Sequence, residues 1–124
     1  MAQVKVYGRR DVWSGRQREL SDLVQASLVS AWGLPQDKRF HRFLLLEADD
    51  LVCPQRGDHY VILEIVCFAG RSDHAKRALV RELYARWPYA PEDLEITIIE
   101  MPVTNWGIRG VPADELTLSY EVEV

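Results

Sequence analysis

The sequence predicts a two-layer α/β (α+β) protein built from tandem duplicated βαβ units, and three observations carry that prediction. Tyr60 to Phe68 is dense in β-branched and large apolar residues, and from Asp73 onward Ala75, Ala78, Leu79, Leu83 and Trp87 recur at helical spacing. A strand running into an amphipathic helix, followed by the second strand Leu94 to Met101, makes one βαβ unit. The same order occurs earlier in the chain: Gly15-Arg16 repeats Gly70-Arg71, and Trp32 and Trp87 stand at matching distances from those pairs. Finally, Leu116, Leu118, Tyr120, Val122 and Val124 alternate with polar residues, the period of a strand with one covered face.

The elements follow in chain order. Val4 to Tyr7 reads as a short first strand, with Gly8 to Trp13 as a loop and Ser14 as the cap of the first helix. Leu20, Leu23, Val24, Leu28 and Ala31 form that helix's apolar stripe, and Gly33 ends it after Trp32. Arg39 to Glu47 is the second strand. Glu47 to Asp58, rich in Asp, Pro and Gly, reads as a loop or small hairpin and is the seam between the repeats. Tyr60 to Phe68 reads as a strand buried on both faces, with His59 at its solvated end. Ala69-Gly70-Arg71 then turns the chain sharply, and Ser72 with Asp73 supplies an N-cap and a first-turn acid. After Met101, the turn-forming stretch Pro102 to Pro112 carries Trp106 and Arg109. The chain is thus a single domain over 1–124, with repeat one over about 1–48, repeat two over about 59–106 and a C-terminal strand over about 115–124. That last strand is a candidate for pairing with a neighbouring subunit.

Composition narrows the function. A length of 124 residues is enough to bury a core without disulfide or metal staples. A net charge of −4 with scattered Arg residues argues against nucleic acid as the main partner. Cys53 and Cys67 lack metal-ligand spacing, and Cys67 reads as a small core residue. No apolar run approaches the roughly 20 residues of a membrane span, so the expectation is a cytoplasmic protein with no membrane partner. There is no nucleophile elbow, phosphate-binding Gly loop or metal cluster in the sequence.

Two architectures fit the strand-helix order: a ferredoxin-like split βαβ, and two tandem βαβ units. The second is favoured by Gly70-Arg71-Ser72, by Gly33-Leu34-Pro35-Gln36-Asp37-Lys38-Arg39-Phe40 and by Asn105-Trp106-Gly107. On these motifs the chain resembles the malonate semialdehyde decarboxylase-like branch of the tautomerase superfamily over nearly its full length. The resemblance implies a homotrimer, a pocket near the amino terminus for a small carboxylate-bearing carbonyl or enol compound, and isomerase- or decarboxylase-type chemistry without a metal or organic cofactor. It also implies an amino-terminal proline as catalyst, whereas this chain has Ala2 there, whose amine is free only if Met1 is removed. Lys38 stands where the decarboxylases carry an acid, Ala69 where they carry an Arg, and Ile108 where a Phe is usual. Reduced or lost proline chemistry on an inherited fold follows from these departures.

The candidate catalytic groups are therefore the Ala2 amine and Arg71, with Lys38, Arg39, Trp106, Ile108 and Arg109 as candidate substrate-binding residues and no metal ligands. Arg71 lies at a helix N-terminus, where backbone N–H groups and the dipole favour an anion. Arg16, its repeat mate, reads as structural; His41, His59 and His74 read as structural or surface histidines. Two further classes of function remain open on the sequence: a non-catalytic structural or regulatory homotrimer, and a ferredoxin-like binding module that dimerises through its sheet.

Overall fold

The computed structural model describes residues 1–116, so the strand expected over 115–124 falls, beyond its first two positions, outside the described residues. The main elements are β1 (Ala2–Arg9), α1 (Arg10–Trp13), α2 (Gln17–Trp32), β2 (His41–Leu46), β3 (Val61–Phe68), α3 (Asp73–Arg86), β4 (Leu94–Met101), β5 (Gly107–Ile108) and β6 (Val111–Pro112). The first four strands in the order β2-β1-β3-β4 form one sheet, and β5 with β6 form a separate hairpin.

Within the main sheet β1 is parallel to β2 and β3 to β4, while β1 and β3 run antiparallel through the centre. Each crossover helix thus joins directly adjacent parallel strands. A split βαβ would need another strand between them, so the ferredoxin-like alternative is excluded. The two units face one another with α2 packed on α3 over one face of the sheet.

That one-sided cover corrects the reading of β3 as buried on both faces. Val61, Leu63, Ile65 and Cys67 are at most 1% exposed beneath the helices, whereas Ile62, Glu64, Val66 and Phe68 are only half-buried on the bare face. Apolar residues on both sides of β3 made the strand look fully enclosed. Cys67 is a core residue, as its composition suggested.

The duplication is uneven at one place. Equivalent strand positions such as Ala2 and Val61 lie farther apart in sequence than the equivalent tryptophans Trp32 and Trp87, and the surplus is the four residues of α1. Gly8 to Trp13, expected as a loop, is the end of β1 followed by this short helix, and Ser14 ends α1 instead of capping α2. The reason is Trp13, which is fully buried. Its ring lies 6.2 Å from Trp87 and 5.9 Å from Tyr89, and it forces the chain to turn inward before α2 begins.

Helix ends follow local chemistry. Gly33 adopts the left-handed conformation (φ 70°) that ends α2, with its N–H on the Val29 carbonyl. Ser72 caps α3 by accepting from the Ala75 N–H at 3.1 Å. Trp32 donates its indole N–H to the Ala75 carbonyl at 2.9 Å, which ties the end of α2 to the start of α3.

Candidate functional site

The sheet register positions the site. Ala2 pairs with Cys67, so the start of β1 lies beside the end of β3 and the turn that carries Arg71. Met1 and Ala2 are 4% and 5% exposed, which makes the amino terminus part of the packed structure. Its amine is held below the usual pKa of 8.0, first by burial and then by the nearby Arg71 guanidinium, with Cys67 acting in the opposite sense.

Arg71 is itself buried, its guanidinium 3.9 Å above the Trp32 ring. The turn before α3 does not offer its backbone N–H groups to a ligand, however. Glu100 from β4 accepts from the Gly70 N–H at 3.3 Å and from the Arg71 backbone N–H, and pairs with Lys76. The anion favoured at this helix start is a carboxylate of the chain itself, and Lys76 and the N–H donors hold it below the ordinary Glu pKa. What Arg71 brings to the amino terminus is its side-chain charge.

A cavity of about 260 Å³ opens at Met1 and is lined by Gln3, Phe40, Trp106, Gly107, Ile108 and Arg109. The hairpin β5–β6 forms its far wall. Arg109 and Gly110 both have positive φ (53° and 84°), as a two-residue type I′ turn requires. Trp106 is fixed by an edge-on contact with Phe68 at 4.8 Å and by the Ala113 N–H on its carbonyl at 2.8 Å. A larger, more open space of about 560 Å³ runs along residues 104–112 of the same hairpin.

Three of the expected residues, Trp106, Ile108 and Arg109, thus meet at the amino terminus, and Arg71 acts on its amine by charge. Arg39 does not line that cavity. It is bound to Asp22 and to the Ser21 hydroxyl (3.3 Å), and it borders a neighbouring groove of about 400 Å³ with Gln3, Phe40, His41 and Arg42. Lys38 lines neither space; its backbone is held by Pro35 and by the Gln25 side chain. Gln25 is fully buried on α2 and donates to carbonyls of the loop after that helix, fixing the path toward Phe40.

The sequence reading missed Gln3 and Phe40. Phe40 carried one usable signal, since it closes the Gly33–Phe40 motif; Gln3 carried none. Arg16 is structural, paired with Glu19 and 4.7 Å above the Trp13 ring. His59 stacks on Tyr89 at 3.9 Å and is half-buried, not at a freely solvated strand end. His41 is half-buried and bonds Ser21 at 2.8 Å, while His74 is exposed.

Adjacent parallel strands in two facing βαβ units, a buried chain start and an aromatic hairpin closing a small cavity define one class of fold, and comparison with known proteins agrees. The family model described as tautomerase enzyme matches residues 38–109, more than half of the chain. The chain belongs to the tautomerase family. Among solved structures it is similar to malonate semialdehyde decarboxylase, at 17% identity over 90% of this chain and 94% of that chain, with a TM-score of 0.79. It is also similar to a native fused 4-OT (21% identity, 92% and 98% coverage, TM-score 0.78). A member of the cis-3-chloroacrylic acid dehalogenase family, N1, matches at 19% identity over 91% and 87%, with a TM-score of 0.74. Identities this low establish the shared fold. Among the described residues, no helix is long and apolar enough to cross a membrane.

Proposed function

We propose that this tautomerase-family chain binds a small carboxylate-bearing carbonyl or enol compound in the cavity between Met1, Phe40 and the Trp106–Arg109 hairpin, with its proline-dependent chemistry reduced or lost. The observation that carries this reading is the amino terminus, enclosed in the cavity wall with its amine held below the ordinary pKa by burial and by Arg71. Burial and the Arg71 charge favour the neutral form of an amine at this place, the form in which an amino-terminal group can act as a general base. With Met1 removed, the Ala2 amine would take the proton from the carbon beside the substrate carbonyl, forming an N–H bond as the C–H electrons move to give the enolate. Delivery of that proton to the enolate oxygen completes the tautomerisation and restores the neutral amine. Arg71 and Arg109 supply positive charge for the carboxylate and the developing enolate oxygen. Trp106, Ile108 and Phe40 exclude water from the organic body of the ligand.

The reading includes a homotrimer. The bare face of the sheet carries Leu44, Ile62, Val66, Phe68, Ile99 and Met101 among its polar residues, an apolar surface that another subunit would cover. Fused 4-OT proteins of like fold are described as symmetric or asymmetric trimers. A thermal-shift panel of small keto acids, phenylpyruvate included, tests the binding reading. A ligand at 100 times its dissociation constant adds about 2.7 kcal/mol of stability. A shift abolished by Arg109→Gln supports the cavity; no shift across the panel removes this reading and favours a non-catalytic assembly.

A further inference from the structure

Gln3 is a polar side chain set among apolar ones. It is the first residue of β1 on the bare face of the sheet, two positions after Met1 and therefore about 7 Å along the strand from it. The register puts Val66 opposite Gln3, and Phe40 joins it in the wall of the cavity at Met1. A single amide in such a wall is placed to orient a ligand.

A neighbour on the same face sets the direction of that amide. Val4 pairs with His41 on the helix-covered side, so Gln3 and Arg42 both belong to the bare side. Arg42 Nη2 donates to Gln3 Oε1 at 3.4 Å. A guanidinium has donors only, so the Gln3 atom turned toward it is the oxygen. Arg42 borders the neighbouring groove and not the cavity, which puts the amide oxygen on the groove side and leaves Nε2 for the cavity. Among the described residues, no acceptor takes the Gln3 N–H groups. The cation also acts through the amide: charge drawn toward Oε1 makes the N–H groups stronger donors.

Arg109, on the hairpin wall, makes no ion pair or hydrogen bond among the described residues and is left for a carboxylate. The acceptor that remains for Gln3 is the carbonyl oxygen of the same ligand. A neutral donor suits that oxygen. It is neutral in the bound ketone and gathers negative charge as the neighbouring C–H bond breaks, so the hydrogen bond strengthens toward the enolate.

We propose that Gln3 is a catalytic residue of the cavity at Met1, donating an amide N–H to the substrate carbonyl oxygen, and that Arg42 is the positioning residue that turns and polarises this amide. The proposal rests on the binding reading above and deepens it: the ligand is a small carboxylate whose carbonyl oxygen is read by a hydrogen bond. An acid without that oxygen leaves the Gln3 N–H groups facing an apolar ligand.

Calorimetric titration of the intact protein with phenylpyruvate and with 3-phenylpropanoate tests it, since the second acid has the same ring and carboxylate but no carbonyl oxygen. The parent should bind phenylpyruvate about tenfold more tightly, the scale of one hydrogen bond. Gln3→Leu, close in size, should erase that preference by weakening phenylpyruvate alone. Arg42→Met should reduce the preference, and Arg42→Lys, which can still donate to Oε1, should keep most of it. A purely structural Arg42 would leave the ratio of the two affinities untouched, and that result removes its positioning role. Binding of neither acid removes the binding reading and this inference with it. Equal affinity of the parent for both acids overturns this inference alone and leaves the cavity reading standing. A preference that survives Gln3→Leu also overturns it, as does equal weakening of both acids, because the amide is then not reading the oxygen. Gln3 is half-buried, Arg42 is exposed, and both lie outside the core cluster, so the variants keep the fold.

Discussion

The guanidinium of Arg71 lies 3.9 Å above the ring of Trp32, so a cation from the second βαβ unit is seated on an aromatic from the first. Trp32 is fully buried and tied to Ala75, which leaves Arg71 little freedom to leave the amino terminus. The duplication thereby places a fixed positive charge beside the start of β1.

Arg71→Gln should therefore raise the pKa of the terminal amine, because the charge that disfavours the ammonium form is gone while burial remains. The sign for stability follows. A buried amine with a depressed pKa penalises the folded state fully below its folded pKa, and the penalty disappears as pH rises through the unfolded value of 8.0. The variant should show a shallower gain in stability toward pH 8 than the parent. NMR titration of the terminal residue and urea midpoints against pH measure the two effects; an unchanged amine titration would break the link to Arg71.

Gly8 is held by packing, not by turn geometry. A Cβ there would stand 2.7 Å from Trp13 Cδ1, and Trp13 is fully buried among Trp87 and Tyr89. Gly8→Ala should destabilise the fold by about 1–3 kcal/mol, the usual cost of overpacking a closed core. Gly8→Ala combined with Trp13→Leu should recover part of that loss, and denaturant unfolding of the three variants decides it. Equal stability of Gly8→Ala and parent would show that Trp13 moves without cost.

These two relationships mark where the sequence was legible. Periodicity located β3, α3 and β4 closely, because β-branched runs and an apolar stripe are local signals. It also found Gly33 and Ser72 as helix boundaries, each set by its own backbone or side chain. It missed α1 because the cause of that helix is Trp13 burying against Trp87 and Tyr89, residues remote in sequence. The family resemblance brought out Trp106 and Ile108, the charge on the turn-forming loop brought out Arg109, and the three meet at the chain start. Glu100 closing the Arg71 turn and Gln3 lining the cavity depend on strand register, which no single stretch of sequence reveals.

His41 should make the fold sensitive to mild acid. Burial, followed by the charge of Arg39, pushes its pKa from 6.5 down to about 4. Above pH 6.5 the ring is neutral in both folded and unfolded chains and contributes nothing. As pH falls from 6.5 toward 4 the unfolded chain takes up the proton first, so stability drops, and below about 4 the loss is complete. With a discount for the solvent that reaches the ring, the loss is on the order of 2 kcal/mol. His41→Asn should flatten the stability profile between those pH values. A parent profile already flat there would contradict the neutral, Ser21-bound histidine.

The amino terminus decides whether the inherited fold still carries tautomerase chemistry. An ordinary α-amine begins at a pKa of about 7.7–8.0, and the site lowers that of Met1, so acidity does not disqualify an amino-terminal base. Position is the harder requirement. With Met1 in place the amine stands one residue, about 3.8 Å, before the Ala2 nitrogen, and misplacement by about 1 Å already costs a factor of roughly 100. Met1 also lines the cavity, so it takes space that a substrate would use. The Met1-bearing protein should therefore show negligible enolisation of phenylpyruvate. Removing Met1 should bare a primary amine at the start of β1, opposite Cys67 and within range of the Arg71 charge. Replacing Ala2 with Pro in that shortened chain should give measurable enolisation, because the ring fixes the direction of the nitrogen lone pair. Adding Arg71→Gln to it should lower the rate again if Arg71 charge serves the reaction. Strong activity in the unaltered Met1-bearing protein would place the base elsewhere, since neither the position of that amine nor the room left beside it suits the transfer.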